Sequence, residues 1–148
     1  MVAFESTVEG LNVRKPTVAI VKVTGRPAAV PSGTAAISKT LAPVIEKHYD
    51  LIKWMIPKIN QFPRDQRFLL ADRIEKLLLD VLELLVAAMY SSRRKEYLHK
   101  VNYKLDVLRL LMRLSKDLGY VNVKAYDFVA KQFLEIGRMV GGWMKQSE

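Results

Sequence analysis

The chain contains no cysteine and only two histidines, His48 and His99. The absence of cysteine excludes disulfide bonds, thiolate nucleophiles and zinc sites built on cysteine. The first residues also lack the basic and then apolar pattern of a secretory signal peptide. These absences are typical of cytoplasmic proteins, and we expect that location for this chain.

Long apolar runs are absent as well, although 50% of the residues are hydrophobic. The longest candidate, residues 77–90, is interrupted by Asp80 and Glu83. A membrane-spanning helix needs about 20 consecutive apolar residues. Residues 77–90 are therefore predicted to form a buried amphipathic helix, and no contact with a membrane is expected.

Catalytic and cofactor motifs are scarce. The glycine and lysine pattern of a phosphate-binding loop does not occur. Glu96 and His99 form a Glu-x-x-His pair, which di-iron four-helix bundles use in two copies together with two further glutamates. Because this chain has a single copy, we expect no metal site, no cofactor and no catalytic residues.

Acidic residues are few relative to basic ones. The 148 residues include 24 Lys and Arg against 15 Asp and Glu, which gives a net charge of +9. A charge of this size favours an anionic partner such as nucleic acid, although it can also serve only solubility. The sequence thus favours a binding protein over an enzyme.

The chain divides near residue 37. Residues 17–23 alternate β-branched and other residues, and glycines and prolines interrupt the sequence on both sides. Residues 1–36 are therefore interpreted as an N-terminal extension that is either a short β-hairpin or flexible. Residues 37–148 have helical periodicity throughout and are predicted to form the main domain.

The main domain is predicted to be all-α, with Pro57 kinking or shortening the first of four helices. Asn122 is suited to cap the last helix at its start, and Gly119 to end the one before it. Short connections predict antiparallel neighbours and hence an up-down four-helix bundle. The predicted helices span residues 41–61, 65–90, 93–118 and 122–144.

The third predicted helix has apolar residues on two nearly opposite sides. A helix of an isolated bundle needs one apolar face, so the second side is predicted to be an oligomer interface. The first stripe, predicted to close the bundle, is Leu98, Val101, Leu105, Leu108 and Met112. The second stripe, assigned to the oligomer interface, is Tyr103, Val107, Leu110 and Leu114.

The same helix holds eight of the 24 basic residues and only two acidic ones between residues 93 and 116. Arg109 and Arg113 are four residues apart and share one face, which suits contact with an anionic partner. The alternative is a solvated face with Asp106 and Asp117 as local ion-pair partners. The candidate binding residues are Arg93, Arg94, Lys95, Lys100, Lys104, Arg109, Arg113 and Lys116.

Three glycines lie inside the fourth predicted helix, where each costs about 1 kcal/mol relative to alanine. Gly137, Gly141 and Gly142 are interpreted as positions where this helix approaches a neighbour closely or ends early. The alternative is a flexible grip for a partner.

Three segments resemble the accessory variability determinant, Avd, of diversity-generating retroelements. They are residues 62–90, 104–118 and 135–145, and the run Glu-Ile-Gly-Arg-Met-x-Gly-Gly-Trp within the last is the most specific. The resemblance covers residues 40–146 and leaves 1–36 without a counterpart. A related four-helix family, encoded in intervening sequences of ribosomal RNA genes, shares the general plan.

The resemblance implies a non-enzymatic partner of the retroelement reverse transcriptase. In the family that the chain resembles, four-helix protomers assemble into a pentamer with a basic surface. The resemblance implies that this assembly binds the reverse transcriptase and template RNA or cDNA during mutagenic retrohoming. By position, Arg109 and Arg113 fall where the family has basic residues, and Lys104 and Lys116 extend that set. Arg138 lies in the specific run, where an intersubunit ion pair is an open alternative. The other function left open is that of an RNA-associated bundle of the intervening-sequence type, without a reverse transcriptase partner.

Overall fold

The computed structural model describes residues 41–147, which contain four long α-helices and no strand. This confirms the all-α prediction for that part of the chain. The predicted extension at residues 1–36 and the start of the predicted domain at residues 37–40 lie outside the described residues. The helices are α1 (Pro43–Ile59), α2 (Asp72–Tyr90), α3 (Arg94–Asp117) and α4 (Val123–Gln146).

The turn between α3 and α4 has the capping residues predicted for it. Gly119 adopts a φ of 82°, which glycine tolerates best, and its amide donates to the Lys116 carbonyl at 2.9 Å. The Asn122 side chain then accepts a hydrogen bond from the Ala125 amide at 2.8 Å. These two caps end α3 and begin α4 within two residues of the predicted positions.

The connection between α1 and α2 differs from the prediction. α1 continues past Pro57 to Ile59, two residues short of its predicted end. A 3₁₀ turn (Arg64–Gln66) and a π-helical turn (Arg67–Ala71) then precede α2, which was predicted to start at residue 65. The π turn adds a residue to the helical repeat, so Phe68 is left 85% exposed while the nearby Leu70 is buried.

Contacts between α2 and α3 show that these helices are antiparallel. Arg94, at the start of α3, donates to the carbonyl of Ala88 near the end of α2 at 2.9 Å. Further along, Lys104 of α3 lies 3.3 Å from a carboxylate oxygen of Asp80, towards the middle of α2. Position along α3 therefore rises as position along α2 falls.

α4 is antiparallel to α3, and its other side packs against α1. Lys116 near the end of α3 lies 4.7 Å from the centre of the Tyr126 ring near the start of α4. On the other side, the rings of Trp54 in α1 and Phe128 in α4 are 4.6 Å apart. Each helix thus has two main neighbours, and α1 lies diagonally across from α3.

All four helices contribute to one apolar core, whose largest fully buried side chains include Phe133, Met55, Ile74 and Leu78. The first stripe of α3 lies in this core, because none of its five residues is more than 3% exposed. The prediction that this stripe closes the bundle is therefore confirmed.

His48 is a polar residue within the core. Its side chain is fully buried, and its Nε2 donates to the Leu78 carbonyl at 2.9 Å. Its Nδ1 has no hydrogen-bond partner among the described residues. Burial lowers the pKa of His48 below the usual 6.5, which outweighs the opposite effect of the backbone hydrogen bond. The imidazole is therefore neutral in the folded chain at neutral pH.

This burial makes the bundle sensitive to mild acid. Below pH 6.5 the unfolded chain takes up a proton on His48 that the folded chain does not, so the free energy of unfolding falls as pH decreases. One histidine contributes a slope of at most about 1.4 kcal/mol per pH unit. Urea unfolding at pH 7.5 and 5.5 should show the decrease, and His48→Leu should remove it. The exposed His99 is the control, since His99→Gln should leave the decrease unchanged.

Candidate functional site

The second apolar stripe of α3 points away from the core. Tyr103, Leu110 and Leu114 are 68%, 63% and 44% exposed, while Val107 is half-buried against the core. Three large apolar side chains on one outward helix face form a surface that isolated proteins rarely leave in water. The position of the stripe opposite the core is as predicted, and its use as an oligomer interface stays a prediction.

Four of the eight candidate cations are exposed: Lys100 and Arg113 lie beside this stripe, and Arg93 and Lys95 lie nearer the start of the helix. Arg113 is exposed and makes no hydrogen bond or ion pair with any described residue. Lys95 and Lys100 are also exposed, and Lys100 lies 5.6 Å from the centre of the Tyr97 ring. Arg93 pairs with the exposed Glu96 at 3.0 Å, an arrangement worth little in water. These side chains are accessible to a partner.

Arg109 has a different environment. It donates from Nη1 to Asp106 at 2.5 Å and from Nη2 to the carbonyl of Phe133 in α4 at 3.1 Å. A Cβ at Gly137 would lie 2.7 Å from the same Nη2. The guanidinium therefore lies across α4 in the space that glycine leaves at position 137, and it joins the two helices.

Lys104 and Lys116 are also turned towards neighbouring helices. Lys104 is half-buried and lies 3.3 Å from the Asp80 carboxylate of α2. Lys116 lies over the Tyr126 ring of α4 and 3.6 Å from the exposed Asp117. Both lysines help to hold α3 in place, and their charges are partly used within the chain.

Arg94 joins three helices. Besides its bond to Ala88, it places its guanidinium 5.3 Å from the centre of the Trp143 ring in α4. A cation near the last carbonyls of α2 is favoured by the helix dipole, and stacking on tryptophan adds a cation–π contact. Periodicity alone could not distinguish this inward role from that of the exposed Arg93.

A family model described as bAvd-like matches residues 43–147. The match begins at the first residue of α1 and ends one residue after α4. The chain belongs to the bAvd-like family. This family consists of non-catalytic accessory proteins, so the chain is an Avd-type accessory protein at the family level. No curated protein matches the sequence.

The structure gives contacts for three residues of the Glu-Ile-Gly-Arg-Met-x-Gly-Gly-Trp run in this bAvd-like chain. Gly137 makes room for Arg109, and Trp143 receives Arg94. Arg138 pairs with Glu135 one turn earlier in α4, on the surface. The close approach predicted for Gly137 is therefore present. No such approach is found at Gly141 or Gly142, where a Cβ would have no atom within 4 Å.

An apolar groove lies on the outward side of α2 in this bAvd-like chain. The groove has a volume of about 400 Å³ and is open to solvent, with acidic residues among its apolar ones. Leu79 is 52% exposed beside the buried Leu78, so it points away from the core of the bundle. The lining residues are Leu79, Asp80, Leu82, Glu83 and Val86.

Within residues 41–147 no group of three or more His, Cys, Asp or Glu side chains has the geometry of a metal site. Glu96 of the single Glu-x-x-His motif lies on the surface with Arg93, and His99 is exposed. None of the four helices is both long enough and apolar enough to cross a membrane.

Proposed function

We propose that this Avd-type protein self-associates through the outward face of α3 and that the assembly binds the reverse transcriptase of its retroelement together with nucleic acid. In this role it supports mutagenic retrohoming. The observation that carries the proposal is the exposed stripe of Tyr103, Leu110 and Leu114 with accessible cations along both edges. An apolar centre bordered by charge is the usual anatomy of a protein interface.

Self-association is supported by the match between two surfaces of the same chain. The α2 groove combines Leu79 and Val86 with the exposed carboxylate of Glu83, while Asp80 in the same groove pairs with Lys104 of its own chain. The α3 face combines apolar side chains with cations such as Arg113. Seating the α3 face of one protomer against the α2 groove of the next buries apolar surface and brings opposite charges together. Because the two surfaces differ, the contact can repeat from protomer to protomer, and it forms a ring where the rotation closes. The pentamer that the resemblance implies is such a ring.

The reverse transcriptase is proposed as partner because the sequence resemblance to Avd of diversity-generating retroelements implies it, and the bAvd-like family match is in line with that resemblance. The α3 face also extends beyond its apolar centre. Arg93, Lys95 and Lys100 lie towards the start of the helix, away from Leu110 and Leu114. We assign this end of α3 to the enzyme, while the stripe meets another protomer.

Co-purification with the reverse transcriptase of the same retroelement tests the proposal. The tagged enzyme should retain the full chain, and the variant carrying Lys95→Glu and Lys100→Glu should bind at least tenfold more weakly. The matched control carries Lys53→Glu and Lys58→Glu on α1, diagonally across the bundle, and should bind like the unaltered chain. Both pairs change the charge of exposed lysines equally.

Each outcome of this experiment has a distinct meaning. Full binding by the Lys95 and Lys100 variant would show that the start of α3 is not the contact. Failure of the unaltered chain to bind the enzyme would overturn the partnership and favour an intervening-sequence type of bundle. Circular dichroism and urea unfolding establish that the variants are folded before binding is compared.

A further inference from the structure

α4 carries four cations on its outward side, and they recur at every seventh residue. Lys124, Lys131, Arg138 and Lys145 are all exposed. Seven residues make almost two helical turns, so successive members shift by only about 20° around the axis and lie about 10.5 Å apart. The four side chains therefore form a nearly straight row about 31 Å long, which we call the α4 row.

The α4 row differs from the basic residues of α3 in how its charges are used. Among the described residues, Lys124, Lys131 and Lys145 make no hydrogen bond or ion pair. Arg138 pairs with Glu135, and both remain open to water. On α3, by contrast, half of the eight candidate cations are bound to neighbouring helices. The four cations of α4 therefore all remain exposed to an external anion, whereas only half of those on α3 do.

The neighbouring residues leave the row with a net positive charge. α4 contains two acidic residues, Asp127 and Glu135, against the four cations. Three apolar residues of α4 are exposed, but Val123 begins the helix and Phe128 packs on Trp54 of α1. Only Leu134 lies midway along the row. Protein interfaces are centred on large apolar and aromatic anchors and are depleted in lysine. The α4 row thus has the wrong composition for the centre of a protein interface.

We propose that the α4 row binds the phosphate backbone of a nucleic acid without reading its sequence. Lysine contacts phosphate as a point charge, and contacts to the backbone carry no base information. A row about 31 Å long is close to the length of one turn of a duplex, about 34–36 Å. A polymer with regularly repeated charges can therefore meet all four cations at once.

This inference rests on the proposed function in taking nucleic acid as a partner, and it assigns the contact to a different helix. The α3 face then serves protein partners, through its apolar stripe and its accessible lysines. α4 is a neighbour of α3 in the bundle, so one protomer can hold a nucleic acid next to a bound protein.

Fluorescence anisotropy with labelled 20-base-pair duplexes of DNA and of RNA, at 50 to 300 mM NaCl, tests the proposal. In the row variant of the full chain, Lys124, Lys131, Arg138 and Lys145 become Gln. The matched control changes Lys53, Lys58, Arg73 and Lys76 to Gln, which removes three lysines and one arginine that are exposed on α1 and α2. A third variant replaces the three lysines of the row by Arg.

The unaltered chain, the control and the Lys→Arg variant should bind the DNA duplex with similar affinity and steep salt dependence. The row variant should bind at least tenfold more weakly at 100 mM NaCl. Each phosphate contact contributes about 0.9 to the slope of log affinity against log salt. Loss of the row should therefore reduce that slope by at least about 3. A parallel loss with the RNA duplex would mark a backbone contact common to both.

Four results would overturn the proposal. An unchanged slope in the row variant excludes the row as the contact. Equal losses in the row variant and the control mean that net charge alone governs binding. A row variant that loses the reverse transcriptase while keeping its nucleic acid affinity makes the row a protein contact. A chain that binds the enzyme but no duplex removes the nucleic acid partner and leaves the protein part of the proposed function intact.

Discussion

Replacing Leu110 and Leu114 by Gln should convert the assembly into monomers at concentrations where the unaltered chain associates. Both leucines project from α3 and are 63% and 44% exposed in the isolated protomer. Fully burying one leucine stabilises by about 1.5–3 kcal/mol, and roughly half of each side chain remains to be buried. The two substitutions together should therefore weaken association roughly ten- to a hundredfold, since 1.4 kcal/mol corresponds to a factor of ten.

Sedimentation velocity or light scattering over a concentration series measures this shift. Leu134→Gln is the matched control, because Leu134 is also 63% exposed but lies on α4. The control should retain the mass of the unaltered assembly, and all variants should keep the same helical content. An unchanged mass after both α3 substitutions would mean that the stripe is not the subunit contact. A monomeric unaltered chain would contradict self-association itself.

Replacing Phe133 by Ala should lower the free energy of unfolding by about 3–5 kcal/mol. Phe133 is completely buried and is the largest of the fully buried side chains. Its removal leaves a cavity between α4 and its neighbours that a rigid bundle fills only in part. Its carbonyl still accepts from Arg109, because that bond involves the backbone. The loss therefore reports packing alone, and urea unfolding at pH 7.5 measures it.

Phe128 provides the comparison within the same helix. It is 40% exposed, and its main described contact is the Trp54 ring at 4.6 Å. An aromatic pair of this kind contributes about 0.5–1.5 kcal/mol beyond the area it buries, so Phe128→Ala should cost far less than Phe133→Ala. If the two substitutions lowered the free energy of unfolding equally, Phe133 would not be the main core contact of α4.

The two C-terminal helices could be predicted closely from the sequence, because their ends have local causes. Gly119 needs a positive φ, and Asn122 accepts from an amide three residues later. Both effects depend on residues next to one another in the chain. The π turn at Arg67–Ala71 was missed because its residues continue the apolar spacing of α2. Only packing against the rest of the bundle selects the wider turn.

For the candidate site, the sequence predicted which way the α3 side chains point but not what they contact. Periodicity placed both stripes of α3, because the direction of a side chain from the helix axis follows from its position. It could not give the partner of each cation. Lys100 and Lys104 lie on the same flank, yet only Lys104 meets a carboxylate on α2, at Asp80. That contact depends on the register between two helices, which no local pattern determines.

The contact between Arg109 and Gly137 couples two positions that are 28 residues apart in the sequence. Alanine at 137 would gain about 1 kcal/mol of helix propensity, but its methyl group would displace the guanidinium of Arg109. Glycine is thus favoured there only while a long side chain occupies position 109. Among relatives, these two positions should therefore change together. Where position 109 holds a shorter residue, alanine at 137 is expected, and α4 then gains helix propensity while the hydrogen bond between α3 and α4 is lost.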